Sequence, residues 1–163
     1  MTTAARRKKG HTPAADPRIG IALGSGSARG WAHIGVLEAL AEAGIRPGIV
    51  TGASIGAFVG AAYANHQLAD LADWVRRLTW RGILSVMDLS LLEGGLLKGE
   101  ELMQVAHAHM GSTDIAELPL AFGAVATELR TGREVWLREG PVLEAVRASI
   151  ALPGLFTPVA RDG

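Results

Sequence analysis

Between a β-branched run, Ile49-Val50-Thr51, and an alanine-rich segment that reads as helix lies Gly52-Ala53-Ser54-Ile55-Gly56. Gly-x-Ser-x-Gly at such a junction is the pattern of a nucleophilic serine on a sharp strand-to-helix turn, where larger flanking side chains would clash. The following helix aims its first N–H groups, and the positive end of its dipole, at the hydroxyl. A serine nucleophile also needs a base to take its proton and donors to hold the oxyanion formed on attack. Ile55, next after the serine, can give one backbone N–H. A second small-residue stretch, Gly24-Ser25-Gly26-Ser27-Ala28-Arg29-Gly30, can give others, because consecutive small residues let amides converge on an anion. Its other reading is a tight strand–helix turn with close packing. In a chain with 21 glycines the serine pattern recurs by chance, so its weight depends on the surroundings.

Those surroundings form a frame. Residues 18–23 are an apolar, strand-like run, and Trp31–Ala43 carries Ile34, Leu37, Leu40 and Ala41 at helical spacing. Gly44 suits the position after a helix, and Pro47 bars continuation. With the strand Ile49–Thr51 this makes a βαβ unit, hence a parallel sheet with a right-handed crossover. Both small-residue stretches then emerge at the carboxyl edge of the sheet, where open α/β folds place ligands, and Gly24–Gly30 falls beside Ser54. Ile55–Ala64 is expected as a buried helix. Leu68, Leu71, Trp74, Val75 and Leu78 form the apolar stripe of another, with Arg76 and Arg77 turned outward. The leucine-rich segment Ile83–Lys98 is loop-like and reads as packing or as an apolar lip over an acyl-chain site. Gly99–Met110 is predicted helical. Leu120–Thr127 is a predicted strand pairing with Arg133–Leu137 across Leu129–Gly132. Pro141 suits a first helical position, with the helix running to about Ser149.

Composition narrows the classes. A chain of 163 residues with 48% hydrophobic and 20% charged side chains is globular and large enough for a single core. Sixteen basic residues balance sixteen acidic ones, so nothing global points to nucleic acid. Residues 1–17 read as a basic, disordered tail, with membrane-surface contact as its alternative use. No apolar core of an export signal follows Arg6-Arg7, and no run is long enough to span a membrane, which makes cytoplasmic the default and membrane-peripheral the variant. Without cysteine there are no disulfides or thiolate metal sites. His107 and His109, two apart on a predicted helix, face different ways and make a poor metal pair. No metal or cofactor is expected. Dinucleotide binding fits badly, since Gly24, Gly26 and Gly30 have one residue too many for G-x-G-x-x-G and no acidic residue ends the second strand. A Ser-Asp-His order would need a late histidine, and the five lie at 11, 33, 66, 107 and 109. His33, in the first turn of its helix, lies near the site with nothing else to recommend it.

Leu23-Gly-Ser-Gly-Ser-Ala-Arg-Gly-Trp-Ala-His-Ile-Gly35 followed by Gly52-Ala-Ser-Ile-Gly56 resembles the bacterial patatin-like phospholipases, in the branch related to neuropathy target esterase. Gly94–Gly99, Ala126–Val135 and Ile150–Val159, the last preceded by Arg147-Ala-Ser, agree in family order, so the resemblance spans about residues 18–163. It implies an α/β patatin-like fold: a mostly parallel central sheet with helices on both faces and a nucleophile elbow at a strand–helix turn. It also implies a Ser-Asp dyad that needs no histidine, with Ser54 as nucleophile. The oxyanion loop carries across to Ser25, Gly26 and Ser27, joined by the Ile55 amide. Gly24, Arg29, Gly30, Gly52 and Gly56 support the motifs. Arg29 either holds the loop or meets a phosphate head group. The family often has glycine where this chain has Ser25 and Ser27, which bears on loop geometry and donor count.

The family's aspartate stands in an Asp-Gly-Gly/Ala motif after a short hairpin and strand. Asp162-Gly163 directly follows Pro158-Val159-Ala160-Arg161 and matches the hairpin turn, for which Asp-Gly is a favoured sequence. The dyad aspartate is then expected past Gly163, the domain 18–163 incomplete, and this chain inactive or nearly so. The implied function is lipid or carboxylic-ester hydrolysis. A non-catalytic module that binds lipid or a partner on the same scaffold is the rival, and acyl transfer to an acceptor other than water a third reading. Head group, acyl length and oligomeric state are not set by the sequence.

Overall fold

The computed structural model describes residues 19–77, 103–104, 106–108, 113–154 and 156–161. The basic head, Leu78, the leucine-rich segment 83–98 and Asp162 lie outside them. Four strands, β1 (Gly20–Leu23), β2 (Ile49–Ala53), β3 (Ala121–Thr127) and β4 (Glu134–Leu137), form one sheet in that spatial order. The first three are parallel and β4 returns antiparallel to β3, so the α/β, mostly parallel reading holds. Leu23, Gly52, Ala124 and Leu137 make one row across the carboxyl end of the parallel strands.

Helix α1 (Ala32–Glu42) joins β1 to β2, α2 (Ile55–Ala64) leaves β2, and α3 (Leu68–Arg77) follows it. Every residue of α2 but Tyr63 is buried, which explains why it is apolar on all sides rather than on one stripe. Gly60 lets it settle on the sheet: a Cβ there would stand 3.0 Å from Val50, 3.4 Å from Phe122 and 3.6 Å from Leu23, the side chains of three adjacent strands. Phe58 of α2 meets the edge of Trp31, which in turn meets Trp74 of α3, at centroid distances of 5.9 and 6.0 Å. Arg76 points outward as predicted, to Glu38 of α1 at 2.8 Å. Residues 103–104 and 106–108 are helical, within the helix expected at 99–110, and Ala106 is buried. The final helix, α4 (Val142–Ile150), buries Val142, Ala145 and Val146. None of the described helices is long and apolar enough to cross a membrane.

Three local expectations change. Strand β2 runs two residues past Thr51 and abuts Ser54, because Gly52 and Ala53 pair with Ala124 and Val125 on the next strand. The second half of the predicted Gly24–Gly30 loop is a 3₁₀ turn, Ser27–Trp31, closed by the Arg29 N–H on the Gly26 carbonyl at 3.0 Å. Pro141 caps α4 from an extended conformation rather than opening it, and its carbonyl accepts from the Ala145 N–H.

Candidate active site

Ser54 joins β2 directly to α2 with φ 55° and ψ −121°, a conformation natural to glycine and costly for serine by about 1–3 kcal/mol. Such a turn persists only where its neighbours leave no alternative. A Cβ on Gly52 would overlap the Gly56 carbonyl, and a Cβ on Gly56 would overlap the carbonyls of Leu23 and Gly24. The two glycines thus let the chain fold back on itself and press the start of α2 against the end of β1. The Ser54 carbonyl accepts from the N–H groups of Ala57 (2.9 Å) and Phe58 (3.1 Å), closing the first helical turn. The serine itself is half-buried.

The small-residue stretch lies against this turn. A Cβ on the buried Gly30 would overlap Ile55 Cγ2, so the 3₁₀ turn and the residue after Ser54 interlock. Ile55 is 2% exposed. His33 Nε2 donates to the Gly24 carbonyl at 2.8 Å, and since a carbonyl only accepts, that nitrogen carries the proton. Ser27 has φ 50°, the left-handed conformation for which glycine is the natural choice, and which serine holds here. Ser25, Ser27, Gly24 and Arg29 are exposed and Gly26 is half-buried. The Arg29 side chain makes no hydrogen bond or ion pair among the described residues. The amides of Ser25 and Gly26 likewise meet no protein acceptor among the described residues. The structure therefore brings Gly24–Gly30 and Gly52–Gly56 together at one sheet edge. The described residues hold no group of three His, Asp or Glu that could bind a metal ion.

Two contacts had no role in the sequence reading. His33 now anchors the start of the small-residue stretch. Ser149, in the last turn of α4, accepts from the Ser54 N–H at 2.7 Å and donates to the Val125 carbonyl at 2.6 Å. The signal available was a small polar residue in the last turn of an otherwise apolar helix, a position serine does not favour without a local partner.

Residues 21–163 match the patatin-like phospholipase family. An NTE family protein of Mycobacterium tuberculosis is 44% identical over 147 residues, covering 90% of this chain and 41% of that protein. Another from the same organism is 36% identical over 141 residues, covering 86% of this chain and 24% of that protein. The lysophospholipase nte1 of Emericella nidulans is 36% identical over 154 residues, 89% of this chain against 10% of that one. The chain thus spans less than half the length of these relatives. A match that begins inside β1 and takes in both small-residue stretches leaves one conclusion: the chain belongs to the patatin-like phospholipase family.

Proposed function

We propose that the protein is a serine acyl hydrolase acting on lipid or other carboxylic esters. The observation that carries this reading is the strained Ser54 turn at the carboxyl edge, locked against a neighbouring stretch of small residues whose Ser25 and Gly26 amides meet no acceptor among the described residues. Ser54 Oγ attacks the ester carbonyl and forms a tetrahedral oxyanion. The amides of Ile55 and of Ser25–Ser27 hold that charge. The serine proton passes to an aspartate, which this reading places after Gly163. Collapse of the intermediate expels the alcohol, which takes the proton, and water then hydrolyses the acyl-serine with the same carboxylate as base. Exposed Arg29, unheld by the described residues, suits contact with a phosphate head group rather than support of the loop. The relative named a lysophospholipase supports lipid as the substrate class. Family likeness alone does not carry chemistry, since a fold can outlive its activity.

A fluorophosphonate probe tests the proposal. In the protein extended past Gly163 it labels Ser54, and Ser54→Ala abolishes both labelling and release of nitrophenol from a short-chain ester. Equal labelling of the two proteins ends the hydrolase reading. Flotation with liposomes without any ester cleavage would instead favour a binding module.

A further inference from the structure

The N–H of Ser54 has a partner to which acyl transfer assigns no task. Ala53 stands opposite Val125 in the parallel pairing of β2 and β3. On the other side of β3, the Glu128 N–H bonds the Arg133 carbonyl at 2.9 Å. Even-numbered residues of β3 therefore direct their backbone groups to β4, and odd-numbered ones, Val125 included, to β2. Continued by one residue, the β2–β3 ladder would run from the Ser54 N–H to the Val125 carbonyl. The chain turns away into α2 at that point, and the Ser149 hydroxyl stands in the missing rung. It accepts from Ser54 N–H at 2.7 Å and gives its single proton to Val125 at 2.6 Å. With its proton committed, its lone pairs remain for the Ser54 amide, so the direction of the chain is fixed.

We infer that Ser149 is a positioning residue for Ser54, an inference that rests on the acyl-hydrolase reading. One hydroxyl ties three elements together: the turn, the end of β3 and the last turn of α4. It fixes the Ser54 peptide plane and so helps hold φ at 55°. It also takes the Ser54 amide out of the pool of oxyanion donors and leaves that task to Ile55 and the small-residue stretch. Ser149 touches no substrate in this scheme. Its effect reaches the reaction through the aim of Ser54 Oγ, to which the chemical step is more sensitive than binding is.

The test uses Ser149→Ala and Ser149→Thr in the full-length protein, with Ile150→Ala as a control on the same helix that leaves the tie intact. Ser149→Ala should lower kcat for a soluble ester by about 30-fold with KM within about twofold. Ser149→Thr, which keeps the hydroxyl, should recover kcat to within about threefold of wild type, and Ile150→Ala should lose less than about threefold. Hydrogen exchange at the Ser54 amide should be about tenfold faster in Ser149→Ala than in wild type. A kcat for Ser149→Ala within threefold of wild type, a loss that threonine does not recover, or one equalled by Ile150→Ala overturns the inference. So does unchanged exchange at Ser54. If wild type shows no Ser54-dependent turnover, the hydrolase reading and the catalytic role of Ser149 fall together, and amide exchange alone then decides whether the tie exists.

Discussion

Gly30→Ala should harm this protein more than one methyl group suggests, and Ile55→Ala should undo much of the harm. Gly30 has no positive φ, so alanine suits its backbone, and the effect on the unfolded chain alone would stabilise by about 0.4–1 kcal/mol. Space is the obstacle. The new Cβ would overlap Ile55 Cγ2 and lie 2.9 Å from both Cβ and Cγ1 of the same residue. Ile55 is β-branched, at the start of a helix and 2% exposed, so it has no free rotamer to escape into. Overpacking of this kind costs about 1–3 kcal/mol. Ile55→Ala alone leaves a cavity facing Gly30 and costs about 2–5 kcal/mol. In the double variant the added methyl enters the vacated space, so the combined loss should fall short of the sum by about 1–3 kcal/mol. Urea unfolding of the four proteins, with m-values compared, measures this directly. Additivity within about 0.5 kcal/mol would show that the small-residue stretch and the turn do not interlock in solution. The proposed oxyanion cradle would then have no support.

Gly56→Ala should be worse and beyond rescue by any side-chain change, because its Cβ would meet the backbone carbonyls of Leu23 and Gly24; a loss above about 3 kcal/mol in urea, or failure to fold, is expected, and a loss below 1 kcal/mol contradicts the packing. Ser54→Gly should unfold about 1–2 kcal/mol later than Ser54→Ala, since glycine relieves the strain at φ 55° and alanine does not, while both remain inactive. Equal stabilities of that pair would mean that the turn relaxes in solution.

The parts of the fold written in local pattern were legible. Ile55–Ala64 is helical over the expected residues, starting at the Gly-Ser-Gly turn, and β3 and β4 pair across Leu129–Gly132 as expected. Gly52 and Ala53 have low strand propensity, so β2 read as stopping at Thr51; pairing with β3 overrides that preference. The 3₁₀ turn was hidden because glycines and serines look alike whether they wind or wander. Ser149 had no local signal strong enough to notice. Its partners lie 95 and 24 residues away in sequence, and a hydrogen bond over such distances leaves no periodicity. His33 was placed near the site by the helix start, but its bond to Gly24 depends on how the 3₁₀ turn folds back.

The rival reading, a binding scaffold without chemistry, rests on the expected place of the dyad aspartate past Gly163 and on Ser25 and Ser27 standing where the family often has glycine; the second support bears on the backbone. The backbone weakens that support. Ser27 takes the left-handed φ of 50° that a glycine would take, and the turn closes behind it through Arg29 and Gly26. Ser27 thus holds a conformation that glycine adopts without strain, and its side chain is exposed. Ser54 points the same way. A scaffold released from catalysis gains stability by exchanging a strained serine for glycine, and nothing in its packing resists that exchange. Here the costly residue remains, its two glycines fit against backbone with no room to spare, and a separate hydroxyl holds its amide. Binding lipid explains none of these. The proposed attack by Ser54 Oγ, which needs that oxygen aimed, explains all three.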